Sequence, residues 1–250
     1  MTRLIARLDI KSDKLIKGIN FEGLRIIGNP YEFANKYYED GIDEILYIDT
    51  VATLYGRNNL NHILNETSKK LFIPVTAGGG VSNITNAQEL LDNGADKIFI
   101  NSAAVREPNI LRALVDKFGS ANIVSSIEAK NINNEWLVYI DNGREKTNYK
   151  LEQWLEIVQD SGVGEILITS IDFDGTKKGF DINLFENIEN KINVPYVISG
   201  GMGTLEHLKK IKEVCRPSGI AIGTSIHYQI LKIHEIKKTM LELGFKNVRH

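Results

Sequence analysis

The residues of this chain that could do chemistry come in pairs. Arg3-Leu-Ile-Ala-Arg7-Leu-Asp9 would, as an extended strand, place Arg3, Ile5, Arg7 and Asp9 on one face, with Asp9 at the C-terminal end. A second apolar run, Ile123–Glu128, ends in another acid, Glu128. Two carboxyls in different surroundings can hold different protonation states, so one donates and the other accepts a proton near neutral pH. Taken singly, each acid could cap a helix or pair with Lys11 or Lys130; as a matched pair they point to acid/base catalysis. Arg7, two positions below Asp9 on the same face, needs an anion if it is interior, and Asp9 and Glu128 are both candidates.

The second pair consists of anion cradles. One combines Gly79 and Gly80 with Asn101 and Ser102, and the other combines Asp174, Gly175 and Thr176 with Gly200, Gly201, Gly223 and Thr224. Glycine lets backbone N–H groups approach an oxyanion, and a helix N-terminus adds positive potential. A lone Gly-Gly step is usually a tight turn. Two symmetric copies predict an elongated small molecule with an anionic, phosphate-like group at each end.

Such residues need a scaffold that brings them to one place. Short β-branched runs alternate with helix-length amphipathic segments along the chain, the pattern of a parallel sheet built from βα units. Strands are predicted at Leu4–Ile10, Glu44–Asp49, Ile73–Thr76, Lys97–Ile100, Ile123–Glu128, Glu165–Thr169, Tyr196–Ile198 and Gly219–Ile222, each followed by a helix. Eight units in 250 residues predict an α/β fold, a single (β/α)8 TIM barrel over residues 1–250. In such barrels the site lies at the C-terminal ends of the strands, with a phosphate position after strands seven and eight, where the second cradle falls.

The halves also repeat. Gly41-Ile-Asp-Glu-Ile-Leu returns 121 residues later as Gly162-Val-Gly-Glu-Ile-Leu. Ala77-Gly78-Gly79 and Ser199-Gly200-Gly201 lie 122 residues apart, as do Asn101-Ser102 and Gly223-Thr224, while Asp9 and Glu128 are 119 apart. This offset, near half the chain, predicts two half-barrels related by duplication. After strand five, Glu135-Trp-Leu-Val-Tyr-Ile-Asp-Asn-Gly-Arg alternates in polarity and predicts a β-hairpin turning at Asn142-Gly143. Lys11–Asn29 is read as a long irregular loop covering the site.

Composition excludes several functions. A net charge of −2 without a basic cluster provides no field for nucleic acid. Nothing approaches the roughly 18 apolar residues that span a bilayer, and the N-terminus has too short an apolar stretch for a signal peptide, so no membrane role and a cytoplasmic location are expected. The single cysteine, Cys215, cannot form an internal disulfide. The five histidines show no ligand spacing, so neither a metal nor another cofactor is expected.

Over nearly its whole length the chain resembles the cyclase subunit (HisF-type) of imidazole glycerol phosphate synthase, sister to the ProFAR isomerase of the same histidine pathway. The likeness rests on Arg7-Leu-Asp-Ile-Lys, Lys17-Gly-Ile-Asn-Phe, Gly41-Ile-Asp-Glu, Gly78-Gly-Gly-Val, Gly94-Ala-Asp-Lys, Ile100-Asn-Ser-Ala-Ala-Val, Gly164-Glu-Ile-Leu-Ile-Thr-Ser-Ile-Asp, Asp174-Gly-Thr and Ser199-Gly-Gly. The phrase Thr169-Ser-Ile-Asp-Phe-Asp-Gly-Thr favours the cyclase over the isomerase.

The resemblance implies a heterodimer with a glutaminase subunit (HisH-type) docked on the N-terminal face, from which ammonia passes along the barrel axis. A charged gate is implied at Arg3, Glu44, Lys97 and Glu165, expected in four alternate strands. The implied substrate is the ribulosyl form of ProFAR, a ketose bisphosphate, converted with ammonia to imidazole glycerol phosphate and the aminoimidazole carboxamide ribotide. Asp9 would be the principal acid/base and Glu128 its partner, with Lys17 on the mobile loop, and Asp49, Thr169 and Ser199 lining the pocket. Two positions depart from the family: its second acid is usually aspartate rather than Glu128, and a small uncharged residue usually stands where this chain has Arg7. These departures keep two other readings open. One is a HisF-like ammonia-channelling subunit serving amino or amidino sugar synthesis for surface polysaccharide, and the other is a docking subunit without turnover.

Overall fold

The computed structural model describes residues 2–52 and 60–246. Its strands are β1 (Arg3–Lys11), β2 (Lys14–Ile19), β3 (Glu22–Gly28), β4 (Glu44–Asp49), β5 (Val75–Gly78), β6 (Lys97–Ile100), β7 (Ile123–Ile132), β8 (Glu135–Ile140), β9 (Glu145–Lys150), β10 (Glu165–Ser170), β11 (Tyr196–Ser199) and β12 (Gly219–Ile222). Eight of these are parallel neighbours in the order β10-β11-β12-β1-β4-β5-β6-β7, and pairing of β7 with β10 closes the ring. Helices lie between them, giving a (β/α)8 TIM barrel.

The period-two side-chain pattern sorts residues into two layers. On β1, Leu4, Ala6, Leu8 and Ile10 point outward into the large core shared with the helices, beside Tyr47, Trp154 and Phe185. The opposite face belongs to the barrel interior, where Ile5 packs with Leu46, Ile48, Phe99, Val124, Leu167, Val197 and Ala221. The helices are set by local signals as well: Asn29 accepts hydrogen bonds from Tyr31 N and Glu32 N, and Pro30 opens the helix Pro30–Glu39.

Two expectations are corrected. The third barrel strand is Val75–Gly78 rather than Ile73–Thr76. Pro74 has no N–H for the ladder, and it contributes a carbonyl to Ile45 N at 3.0 Å just before the strand begins. The stretch Lys11–Asn29 is mostly sheet: β2 pairs antiparallel with β1 and with β3. Its two-residue turns place Ser12, Asn20 and Phe21 at φ 59°, 50° and 64°, and none of these residues is glycine. The usual Asn-Gly or Asp-Gly hairpin signal is therefore missing from this stretch.

The excursion after β7 is larger than a single hairpin. β7 itself continues past Glu128 and pairs with β8, which then pairs with β9 across the turn at Asn142-Gly143. Extra antiparallel strands thus follow β1 and β7, the first strand of each half.

Candidate active site

At the N-terminal end of the barrel, four charged side chains form a closed ring. Arg3 Nη1 bonds Glu44 Oε2 at 2.7 Å, and its Nη2 bonds Glu165. Lys97 Nζ lies 3.2 Å from Glu44 Oε1 and 2.9 Å from Glu165 Oε2. Each cation therefore touches both anions. The four do not occupy alternate strands, as β1 and β4 are neighbours; in the stagger of the sheet Glu44 stands beside Ile5, above Arg3, so a long Arg3 side chain can reach it. Thr76 Oγ1 donates to Glu44 at 2.6 Å and Ser218 Oγ to Glu165 at 3.1 Å, which offsets part of the cost of burying two carboxylates.

At the other end, beyond the apolar interior layer, β1 and β7 are four strands apart around the ring, so Asp9 and Glu128 stand on opposite walls. Asp9 is enclosed by cations: Oδ1 accepts from Arg7 Nε at 2.9 Å and Oδ2 from Lys17 Nζ at 2.8 Å. Burial alone would raise this carboxyl, but Arg7 and Lys17 hold it well below the usual carboxylate range. Lys11, the alternative partner, bonds nothing at Asp9. Glu128 accepts a hydrogen bond from Gly143 N at 2.8 Å. Burial pushes its carboxyl up to about 7, outweighing Arg7 and the Gly143 N–H, which act in the opposite direction. Near neutral pH Asp9 is thus ionised, whereas Glu128 is shared between its neutral and charged forms.

Lys17 lies in β2 rather than on an irregular loop. It bridges Asp9 and Asp174, bonding the latter at 2.9 Å, and burial is overcome by these two anions, which raise its pKa. Asn20 adds further ties from this hairpin, its N–H donating to Asp174 O at 2.8 Å and its Nδ2 to Ile171 O at 2.6 Å. The hairpin is closed over the second cradle.

Cradle one opens on a cavity of about 430 Å³, a volume suited to a drug-sized or metabolite-sized ligand. Asp49, Gly79, Gly80, Asn101, Ser102 and Glu128 all line it. Gly79 adopts φ 109°, and a Cβ there would run into the Asp49 carbonyl, so glycine is required. Cradle two gathers Asp174, Gly175, Ser199, Gly200, Gly201, Gly223 and Thr224 around Arg7, leaving about 20 Å³. That is room for a water rather than a phosphate while the hairpin is closed. Thr169 bonds Arg7, and Thr176 turns its hydroxyl to Phe173 O at 2.8 Å. Asn101 Oδ1 and Thr224 Oγ1, one in each cradle, are buried without a hydrogen-bond partner among the described residues.

Other cavity residues had escaped the sequence reading. Arg106, Asn142 and Arg144 line cradle one's cavity, and Phe21 stacks on Arg7 with its ring centroid 5.3 Å from Cζ. Arg144 follows the turn glycine in the segment read as a hairpin, but nothing in the sequence indicates that this hairpin folds back over the barrel mouth.

Fold and site together define a (β/α)8 barrel with two buried carboxyls on opposite walls and two glycine-rich cradles at the C-terminal ends of its strands. Residues 3–232 match the family model described as histidine biosynthesis protein. The imidazole glycerol phosphate synthase subunit HisF of Legionella pneumophila is 50% identical over 82% of this chain and 97% of its own. Those of Sulfurisphaera tokodaii and Pyrococcus furiosus are 40% and 39% identical, over 98% and 97% of this chain and 97% and 96% of theirs. The chain belongs to the family of imidazole glycerol phosphate synthase subunit HisF, the cyclase subunit. No helix among the described residues is long and apolar enough to cross a membrane.

Proposed function

We propose that the barrel binds the ribulosyl form of ProFAR across its mouth, one phosphate in each cradle, and uses ammonia to produce imidazole glycerol phosphate and the aminoimidazole carboxamide ribotide. The observation that carries this reading is the pair Asp9 and Glu128 on opposite walls, Asp9 held between two cations and Glu128 facing the 430 Å³ cavity with one backbone N–H. Ammonia attacks the keto carbon, and acid/base steps then lead to ring closure and cleavage. Asp49, Ser102, Thr169 and Ser199 contribute to the binding walls. The second cradle takes its phosphate once the β2–β3 hairpin moves aside.

A glutaminase partner docked on the N-terminal face would deliver ammonia through the ring of Arg3, Glu44, Lys97 and Glu165. A closed ring of paired charges excludes water and ammonium while the neutral molecule can pass when one pair opens. The heterodimer operates in the cytoplasm, where the histidine pathway's soluble intermediates are available.

The names of the relatives support this reading over service to surface-sugar synthesis. Purified protein incubated with the ribulosyl isomer and ammonium salt should release both products. Tight binding without turnover would mark a docking subunit, and no binding would redirect attention to a sugar substrate.

A further inference from the structure

Arg7 crosses the barrel interior. It starts on β1, yet Nη1 donates to Ser199 Oγ on β11 at 3.2 Å and to Thr169 Oγ1 on β10 at 3.1 Å. β10 is three strands away from β1 around the ring, so the guanidinium lies across the bore, directly above the apolar layer that contains Ile5. From there Nε takes one oxygen of Asp9, and Lys17 takes the other. Asp9 is left with a cation on each oxygen and is 4% exposed.

Glu128 stands in different company. It receives a single backbone N–H, from Gly143, and it lines the 430 Å³ cavity, whose lining does not include Asp9. The acid that meets the ligand space is therefore the one without a bonded cation.

We propose that Arg7 is a positioning residue that fixes Asp9 as a permanent anion and leaves proton transfer to the ligand to Glu128. This rests on the cyclase reading and deepens it by dividing the work of the two acids. As the nitrogen of ammonia adds to the keto carbon, the C=O π pair moves onto oxygen, which takes the proton of Glu128. The nitrogen, then positively charged, returns one proton to the Glu128 carboxylate, leaving a neutral carbinolamine and the acid restored.

The surroundings agree with this division. Arg7 and Asp9 face Glu128 from β1, Asp141 and the Gly143 N–H from the β8–β9 turn, and Arg144, Arg106 and Asp49 line the same cavity. Arg106 is occupied by Asp141 at 2.5 Å and Glu145 at 3.2 Å. Desolvation prevails, and the carboxyl favours its neutral form up to about pH 7. Asp9 faces Arg7 on its own strand and Lys17 on β2, with Asp174 beyond Lys17 and His227 nearby; the two cations prevail.

The test combines direct titration with kinetics. The carboxyl carbons of Glu128 and Asp9 are followed by NMR in the unliganded protein, with Glu128→Gln identifying the first resonance, and ammonia-dependent turnover is measured over pH at constant free ammonia. The expected Glu128 midpoint is near 7, with turnover falling above that pH and reduced about 100-fold or more in Glu128→Gln. In Arg7→Met, loss of the nearby cation should raise the Glu128 midpoint and move the turnover limb with it, while the Asp9 midpoint also rises. Arg7→Lys, which keeps a cation and a similar volume, should stay closer to the parent and serves if Arg7→Met does not fold. An ordinary carboxylate midpoint for Glu128, a turnover limb that stays in place while the midpoint moves, or full turnover in Glu128→Gln would overturn the proposal. Absence of turnover in the parent would overturn the cyclase reading instead, and the titrations would then decide the hold of Arg7 on Asp9 by themselves.

Discussion

Lys17 and Asp174, 157 residues apart in sequence, meet at 2.9 Å, and the same ammonium holds Asp9. One buried cation thus ties the β2–β3 hairpin to both β1 and the second cradle. If the second cradle takes a phosphate as proposed, this bridge must break as the hairpin opens, and the phosphate can take over the released charge.

Replacing Lys17 with methionine should therefore loosen the hairpin. Breaking a buried pair by removing one partner costs on the order of 3–5 kcal/mol, because the remaining charge is left uncompensated. Asp9 retains Arg7, whereas Asp174 loses its salt bridge, so the loss should fall at the hairpin and second cradle. Hydrogen exchange should show faster amide exchange across residues 14–28, with exchange in β5 and β6 unchanged.

Charge reversal at Lys97 should separate passage from chemistry. In Lys97→Glu three carboxylates would face Arg3 alone, and the closed ring could not form. Glutamine-dependent turnover with the glutaminase should drop several-fold more than turnover with added ammonium salt. An equal loss of both would remove the ring from ammonia delivery.

Glu128 should leave a mark on stability as well as on catalysis. Its pKa rises from the ordinary 4.5 to about 7 on folding, so the folded state favours the protonated acid. That contribution is fully present below about pH 4.5 and is lost as pH rises through 7; at about 1.36 kcal/mol per unit it amounts to ~3 kcal/mol. Glu128→Gln, neutral throughout, should match the parent at pH 4.5 and exceed its stability by up to this amount at pH 8. Urea midpoints at the two pH values provide the measurement.

Gly79 offers a test of cradle one. Alanine at φ 109° is strained, at roughly 1–3 kcal/mol, and its methyl would displace the Asp49 carbonyl. Affinity for inorganic phosphate should fall about tenfold or more, which corresponds to roughly 1.4 kcal/mol. Phosphate titration of Gly79→Ala against the parent would show it, and unchanged affinity would place the anion elsewhere.

Much of this architecture is legible in the sequence. The alternation of Leu4, Ala6, Leu8 and Ile10 with Ile5, Arg7 and Asp9 named the outward and inward faces of β1, because side chains on a strand must alternate. The half-chain repeat predicted that Asp9 and Glu128 would stand in equivalent places, and closure of eight strands puts equivalent places on opposite walls. Less was visible where backbone choices depended on distant packing. Phe21 sits at φ 64° in a two-residue turn with its ring against Arg7, and no local propensity would place a bulky residue there. The hairpin that it helps to close therefore has no signature in the local sequence.

By itself the sequence determined the barrel, the half-barrel repeat and the residue types collected at each end, since these follow from periodicity, glycine placement and the spacing of charges along single strands. It left open which anion would satisfy Arg7, how Lys17 would be used, and which acid would face the ligand space. Tertiary structure decided all three. Charge pairing inside a barrel depends on distances between strands far apart in the chain, and a pKa depends on how many cations reach a carboxyl once water has been excluded.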